Sequence, residues 1–412
     1  MSSRRTFMKQ TLGGSAALAA SGFFSSSRVL GANDRIRIGL IGGGDRGQEI
    51  FHAAIKCPNV EAVGVADVYT RRLDEVKAIV PTIKTYKDFR ALLDDKSIDA
   101  VLIATPQHLH ALHFVPALEA GKDVYQEKTM AFNPDHARRM KKAFEKSDRV
   151  VQVGIQATSA PGLTRIREMA TPERMGSITA LHTHHYRNAP YGGWTREIPH
   201  DCDPAHVDWK AFEGETTAPH SFDPQRYINW RFFWDYDGSN VYENMVHQVG
   251  FWYKLMDFKI PDSVTMTGAN LLSPKMQMPD TIDVSMLQGK ILFTWNSMFG
   301  NDFYGEGHDM LLGTKGMIAR NEGDQVRYLP EGGATRGVEA FSSIPVQGGQ
   351  PRGYFEATQQ HMQNFFDCMR SRKQPSCPFE IGYRSAIACQ MSIASYHKKR
   401  AVRWDAQTED IV

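Results

Sequence analysis

The stretch Ile36-Arg37-Ile38-Gly39-Leu40-Ile41-Gly42-Gly43-Gly44-Asp45-Arg46-Gly47 decides the fold. Its first six residues read as a buried strand, and Gly42, Gly44 and Gly47 fit G-x-G-x-x-G. In such a turn the first glycine permits the sharp bend, the second lets backbone approach a pyrophosphate, and the third lets helix pack on strand. A helix starting near Asp45 aims free N–H groups and its positive dipole end at the phosphates. Asp67, 20 residues beyond Gly47, closes the next strand-like run. A carboxylate there accepts both ribose hydroxyls and repels a 2′-phosphate, which favours NAD, while Arg71 and Arg72 beside it keep NADP open.

Outward from this turn the chain alternates strands and helices. Strands are predicted at Ile36–Ile41, Val60–Ala66, Ala100–Ala104, Asp123–Gln126 and Val150–Val153, and helices near Gln48–Lys56, Thr70–Val80, Leu109–Ala120 and Pro134–Lys146. That rhythm implies β-α-β units and a doubly wound parallel sheet. After Gln156 it changes. A helix near Gly162–Met169 and a strand at Ile178–Tyr186 lead into an aromatic-rich irregular region with Trp194, Trp209, Trp230 and Trp234. Strands at Val264–Gly268, Thr281–Leu287, Lys290–Trp295 and His308–Leu312 follow without helices between them, then a glycine-rich loop over 331–353 and helices at Tyr354–Ser371 and Ile381–Lys399. The expectation is an α/β Rossmann domain over 33–155 and an α+β domain over 156–412, whose open, mostly antiparallel sheet packs on helices.

Ahead of both domains, Ser3-Arg4-Arg5-Thr6-Phe7-Met8-Lys9 and the weakly apolar Leu12–Phe24 look like a twin-arginine leader over residues 1–32. Such a leader exports folded proteins and predicts a periplasmic or otherwise exported product that engages the twin-arginine translocase. A nicotinamide nucleotide is scarce outside the cytoplasmic membrane, so the cofactor is expected to be tightly held and carried across. The formal charge is +2, and without Arg4, Arg5, Lys9 and Arg28 the remaining chain stands at −2. No electrostatic case exists for nucleic acid or an anionic membrane. Five cysteines, with no C-x-x-C pair, read as inert buried thiols, with Cys368 and Cys377 the one pair placed to join after export.

Two further segments lie at carboxyl ends of predicted strands, where ligands of such sheets bind: Ala104-Thr105-Pro106-Gln107-His108-Leu109-His110 and Gln126-Glu127-Lys128-Thr129. With the glycine turn, with Gly313-Thr314-Lys315-Gly316 and with a late helix carrying His361, Asn364 and Phe365, the chain resembles the glucose–fructose oxidoreductase, inositol dehydrogenase and rhizopine catabolism (Gfo/Idh/MocA) family over nearly all of 35–400. The resemblance implies that Lys128 sits near the nicotinamide and the reacting hydroxyl, and that Thr105, Pro106, Gln107, His110 and Glu127 line the cofactor. Gly42, Gly44, Asp45, Arg46, Gly47, Asp67 and Gln156 complete that expected lining.

The family's Asp-x-Gly-x-His helix start matches Glu243-Asn244-Met245-Val246-His247, with Glu243 for aspartate and Met245 for glycine; Thr129 stands where the family has proline. Oxidising a secondary alcohol requires a base for the hydroxyl proton while hydride leaves the same carbon. His247 is the expected base, Lys128 its electrostatic partner, and Glu243, one turn before His247, an orienting or relay carboxylate for the imidazole. Tyr186, Arg187, Trp194 and Tyr242 join His247 as the candidate substrate contacts; of the aromatic set Tyr186, Tyr191, Trp194, Trp230, Trp234 and Tyr242, beside the polar Arg187 and Asn188, one or two are expected to touch substrate and most to pack the domain interface. His182, His184 and His185 are read as polar lining of the sheet facing the substrate, with no metal expected; no clear third ligand stands at recognisable spacing, although Asp201, Asp203 and His206 are candidates from the loop.

The function expected is hydride transfer between a secondary hydroxyl of a sugar, glycoside or polyol and NAD or NADP. A redox-neutral NAD-dependent glycosidase is the first rival. A non-catalytic sugar-binding protein is the second, and a homo-oligomer is the expected assembly.

Overall fold

The structure, a computed structural model, describes residues 35–160, 163–190, 192–216, 218–302, 308–320, 325–332, 339–342 and 353–412. The predicted leader, Tyr191 and most of the glycine-rich stretch lie outside them. Residues Ile36–Val412 form one compact unit.

The first half is built from β1 (Ile36–Ile41), α1 (Asp45–Ile55), β2 (Val60–Ala66), α2 (Thr70–Ile79), β3 (Lys84–Tyr86), α3 (Phe89–Asp94), β4 (Ala100–Ile103), α4 (His110–Glu119), β5 (Asp123–Gln126), α5 (Pro134–Glu145) and β6 (Val151–Val153). All neighbouring strands pair parallel, in the order β3-β2-β1-β4-β5-β6. This is the doubly wound order, whose reversal between β1 and β4 opens a crevice at their carboxyl ends. Alternation along β1 sends Ile38 and Leu40 to one apolar cluster and Ile41 to the other. Sequence periodicity missed β3 and α3: Lys84 and Thr85 are exposed at the sheet edge, so no apolar run marks them.

The second half begins with α6 (Leu163–Met169) and β7 (Ile178–Tyr186). After the irregular region come α7 (Val246–Met256), entered through a π-helical turn at Val241–Met245, and β8 (Ser263–Ala269), β9 (Thr281–Gln288), β10 (Ile291–Met298), β11 (His308–Gly313), β12 (Gly316–Arg320), β13 (Gln325–Pro330) and β14 (Glu339–Ser342). These strands form one sheet, β14-β13-β12-β11-β7-β10-β9-β8. It is antiparallel except where β10 runs parallel to β7. The expected loop over 331–353 is corrected at Glu339–Ser342, which adds an edge strand to β13.

Two helices close the chain, α8 (Gly353–Ser371) and α9 (Phe379–Lys398). Met362, Phe365 and Phe366 of α8 complete the cluster on one face of the parallel sheet, beside Phe51, Leu73 and Tyr125. The other face opens into a core that runs without interruption through Phe114 and Val153 to Trp252 of α7, Ala386 of α9 and Trp295 of β10. The five thiols are buried and free, and Cys368 and Cys377 sit in different clusters. Among the described residues no helix is long and apolar enough to cross a membrane.

The fully buried Phe365 ring stands 5.9 Å from that of Tyr125 across the junction of α8 with β5. Phe365→Ala is expected to lower unfolding free energy by about 3–5 kcal/mol, read by urea denaturation.

Candidate functional site

The glycine turn is shaped as the spacing requires. Gly42 has φ +93°, and a Cβ there would lie 2.8 Å from the carbonyl carbon of Ala104. A Cβ on Gly47 would lie 1.9 Å from the Gly42 oxygen, so Gly47 serves by letting α1 close on β1. Gly44 caps α1 without a side-chain bond, and its missing Cβ would meet nothing within 4 Å. The turn therefore leaves open space directly before a helix N-terminus, the cradle a diphosphate needs. Asp45, whose negative charge would repel that group, is ion-paired to Arg72 at 3.1 Å and Arg196 at 2.9 Å.

Asp67 ends β2 half-buried and accepts the Gly43 amide at 2.7 Å and the Tyr69 amide at 2.8 Å. Burial pushes its carboxyl up to about 6, against the opposing pull of those two amides. Arg71 is turned toward Asp201 at 2.8 Å, and Arg72 toward Glu75 at 2.7 Å and Asp45. Both arginines beside the ribose position thus already have carboxylate partners.

Much of the irregular region lies as a strap along this rim. Val207 bridges to Tyr69, the Thr70 amide donates to His206 O, and the Asp208 amide donates to Val68 O. The Tyr69 hydroxyl donates to Asp201 at 2.6 Å. Beneath the strap runs one cleft of about 1720 Å³, lined from Gly42 and Asp67 at one end to Trp194, Arg231 and His247 at the other.

At that second end Lys128, just past β5, is joined to Thr129 by a cis peptide and donates to the Glu243 carbonyl and to its Oε2, each at 3.0 Å. The same Oε2 lies 3.1 Å from Arg231 Nε, and Gln107 Nε2 donates to Oε1 at 2.5 Å. Burial alone would raise the Glu243 carboxyl; Arg231 and Lys128 outweigh it and hold it down at about 2. Glu243 is therefore a buried carboxylate with cationic partners on it, the condition for keeping such a charge out of water.

His247 faces the cleft with no hydrogen-bond partner among the described residues. Burial, helped by the nearby cations Lys128 and Arg46, pushes its imidazole well below the usual range, so it is neutral at working pH. The expectation that Glu243 orients this imidazole is corrected. Both its oxygens are engaged elsewhere, by Lys128, Arg231 and Gln107.

Thr105, Pro106, Gln107, Glu127, Arg46 and Gln156 line the cleft as expected. Arg46 is paired to Glu127 at 2.9 Å. The buried Oε1 atoms of Gln107 and Gln156 have no partner in the protein, which fits a ligand rich in polar edges. Three expected contacts do not reach it. His110 is fully buried, its ring nitrogens at 2.7 and 2.9 Å from the carbonyls of Thr129 and Thr105, so it fixes the loops rather than touching a ligand. Tyr242 is buried and donates to Phe132 O at 2.6 Å. Tyr186 stacks on His184 at 4.5 Å on the opposite face of β7. Strand alternation puts His185, not His182 or His184, into the cleft.

Arg187 and Trp194 do line it, with the guanidinium 4.7 Å from the indole centroid, and Trp230 lines it too. Trp234 packs on His397 instead, and Asn188 bridges to Gly300. Asp201 serves Arg71, and Asp203 pairs with His206 at 2.8 Å. Among the described residues no group of three or more His, Cys, Asp or Glu side chains could hold a metal ion. Sequence reasoning missed Arg231, which sits between Trp230 and Phe232 inside the aromatic run it did single out.

Ionised Asp67 accepts ribose hydroxyls more strongly than its acid form, which retains one good acceptor. Because the folded carboxyl is raised to about 6, dinucleotide binding should be strongest well above pH 6 and weaken as pH falls through it. Titration calorimetry of wild type and Asp67→Asn checks this; the variant should bind weakly, with that dependence gone.

Residues 36–155 match the family profile GFO_IDH_MocA, described as an oxidoreductase family with an NAD-binding Rossmann fold. Inositol 2-dehydrogenase of Salmonella typhimurium is 27% identical over 154 residues, covering 37% of this chain and 46% of that protein. A 1-carboxy-3-chloro-3,4-dihydroxycyclo hexa-1,5-diene dehydrogenase of Comamonas testosteroni is 27% identical over 156 residues, 38% of this chain and 39% of that one. The chain thus spans less than half the length of these two relatives. Levoglucosan dehydrogenase, solved with NADH and levoglucosan, shares the fold with a TM-score of 0.70 and 19% identity over 90% of this chain and 99% of that one. An oxidoreductase domain protein from Kribbella flavida does so at 0.71, with 17% identity over 89% of this chain and 98% of that one. The glycine cradle and the Asp67 ledge both stand within residues 36–155, the stretch that matches the NAD-binding Rossmann fold of that oxidoreductase family.

Proposed function

We propose that this chain is an exported oxidoreductase that moves hydride between a secondary hydroxyl of a sugar, glycoside or polyol and a firmly held NAD. The observation that carries the reading is that Lys128, Glu243 and His247 meet in the same cleft as Gly42, Gly44 and Asp67. NAD, when bound, supplies the acceptor for the hydride of the carbinol carbon. Neutral His247 accepts the hydroxyl proton, and Lys128 places its ammonium against the developing alkoxide. Glu243 acts on Lys128, holding it through Oε2 and the backbone carbonyl, while Gln107 and Arg231 hold Glu243. Firm retention of the nucleotide is supported by the strap along the Asp67 rim, and export by the twin arginines at Arg4 and Arg5.

Lys128→Ala should reduce turnover by about 10²-fold or more with the nucleotide still bound, read as reduced nicotinamide formed per bound NAD. Aglycone release from aryl glycosides without added NAD would instead select the redox-neutral glycosidase, and protein purified without any nucleotide would count against both. Asp201→Ala, which releases Tyr69 and Arg71 from the strap, should speed nucleotide loss severalfold in a stopped-flow chase.

A further inference from the structure

We infer that Arg231 is a specificity residue that anchors a carboxylate on the substrate, so that the preferred substrates are acidic sugars, uronates or aldonates, rather than neutral ones. The assignment rests on the proposed oxidoreductase site and adds the chemical class of what enters it.

The geometry is that of a half-used fork. Arg231 Nε lies 3.1 Å from Glu243 Oε2 as an ion pair outside hydrogen-bond alignment, and neither Nη group donates to any described residue. Its guanidinium lies 4.1 Å from the Trp230 ring centroid and 5.8 Å from that of Trp194, which fixes its plane, and it lines the cleft. A planar guanidinium held in place with its Nη1–Nη2 edge open matches a carboxylate in bidentate fashion.

Charge points the same way. Lys128 and Arg231 share one carboxylate, Glu243. Asp237, fully buried nearby, is a poor second: neither of its oxygens has a hydrogen-bond partner among the described residues, and burial together with the Glu243 charge raises its carboxyl well above the usual range, which disfavours its charged form. An anionic group on the substrate completes the balance. Since both cations lie on the same Glu243 oxygen, a hydroxyl at Lys128 and a carboxylate at Arg231 fall within a single monosaccharide. Trp194 flanks the same space with a left-handed backbone, φ +64°, which a bulky residue adopts only when its surroundings enforce it.

The test compares sodium glucuronate, sodium gluconate and glucose on the NAD-loaded protein by calorimetry and by nucleotide reduction. The acids are expected to bind roughly tenfold or more tightly than glucose. Arg231→Gln should erase that preference through KM with a smaller effect on kcat, and Arg231→Lys should restore part of it. Equal binding of acid and neutral sugar, binding of neither, or a preference that survives Arg231→Gln overturns the assignment. Turnover of glucose alone would do so while leaving the oxidoreductase reading intact. An Arg231-dependent preference without nucleotide reduction by any sugar would do the reverse.

Discussion

A single buried carboxylate ties the molecule together at its working end. Glu243, 4% exposed, receives Gln107 from the loop after β4, Lys128 from the loop after β5, and Arg231 from the strap. An ionised group in that setting is tolerated only while cationic and hydrogen-bonding partners stay on it. Three segments distant in sequence are thereby held to one atom cluster. The reactive groups inherit their positions from that requirement, not from the helix alone.

Around this point the backbone is locked by neutral contacts. The Thr129 hydroxyl donates to Tyr242 O, the Tyr242 hydroxyl to Phe132 O, and His110 sits between the carbonyls of Thr105 and Thr129. Residues that look like ligand contacts from their place beside a motif are here the scaffold behind it. At the Lys128 end, what reaches the cleft includes Glu243, His247, His185 of β7, and Arg187, Trp194, Trp230 and Arg231 from the segment that follows it.

Much of the architecture is legible in the sequence because burial imposes periodicity. β1, β2 and β5 fall where apolar runs predict them, and α1 starts at Asp45 as the glycine turn requires. β3 escapes because an exposed edge strand of three residues carries no pattern. The parallel pairing of β10 with β7 joins segments more than a hundred residues apart, and local order does not encode it. At the site, residue types were readable and directions were not. Spacing on an ideal helix aims Glu243 at His247, whereas two donors, Gln107 and Lys128, and the Arg231 cation claim the carboxylate from other segments. Arg231 gave no local signal, since an arginine among aromatics gains meaning only from the glutamate it meets.

The uninterrupted apolar core has a mechanical consequence. Val101 and Val153 of the parallel sheet, Trp252 of α7 and Trp295 of β10 belong to one packed body, with no thin waist between the halves. Rotating one half against the other would shear close-packed side chains, which resist gradual deformation. An opening that spares this core has to use the irregular segment along the rim, which Cys202 and Val207 anchor on Tyr69 and to which surface hydrogen bonds and ion pairs add.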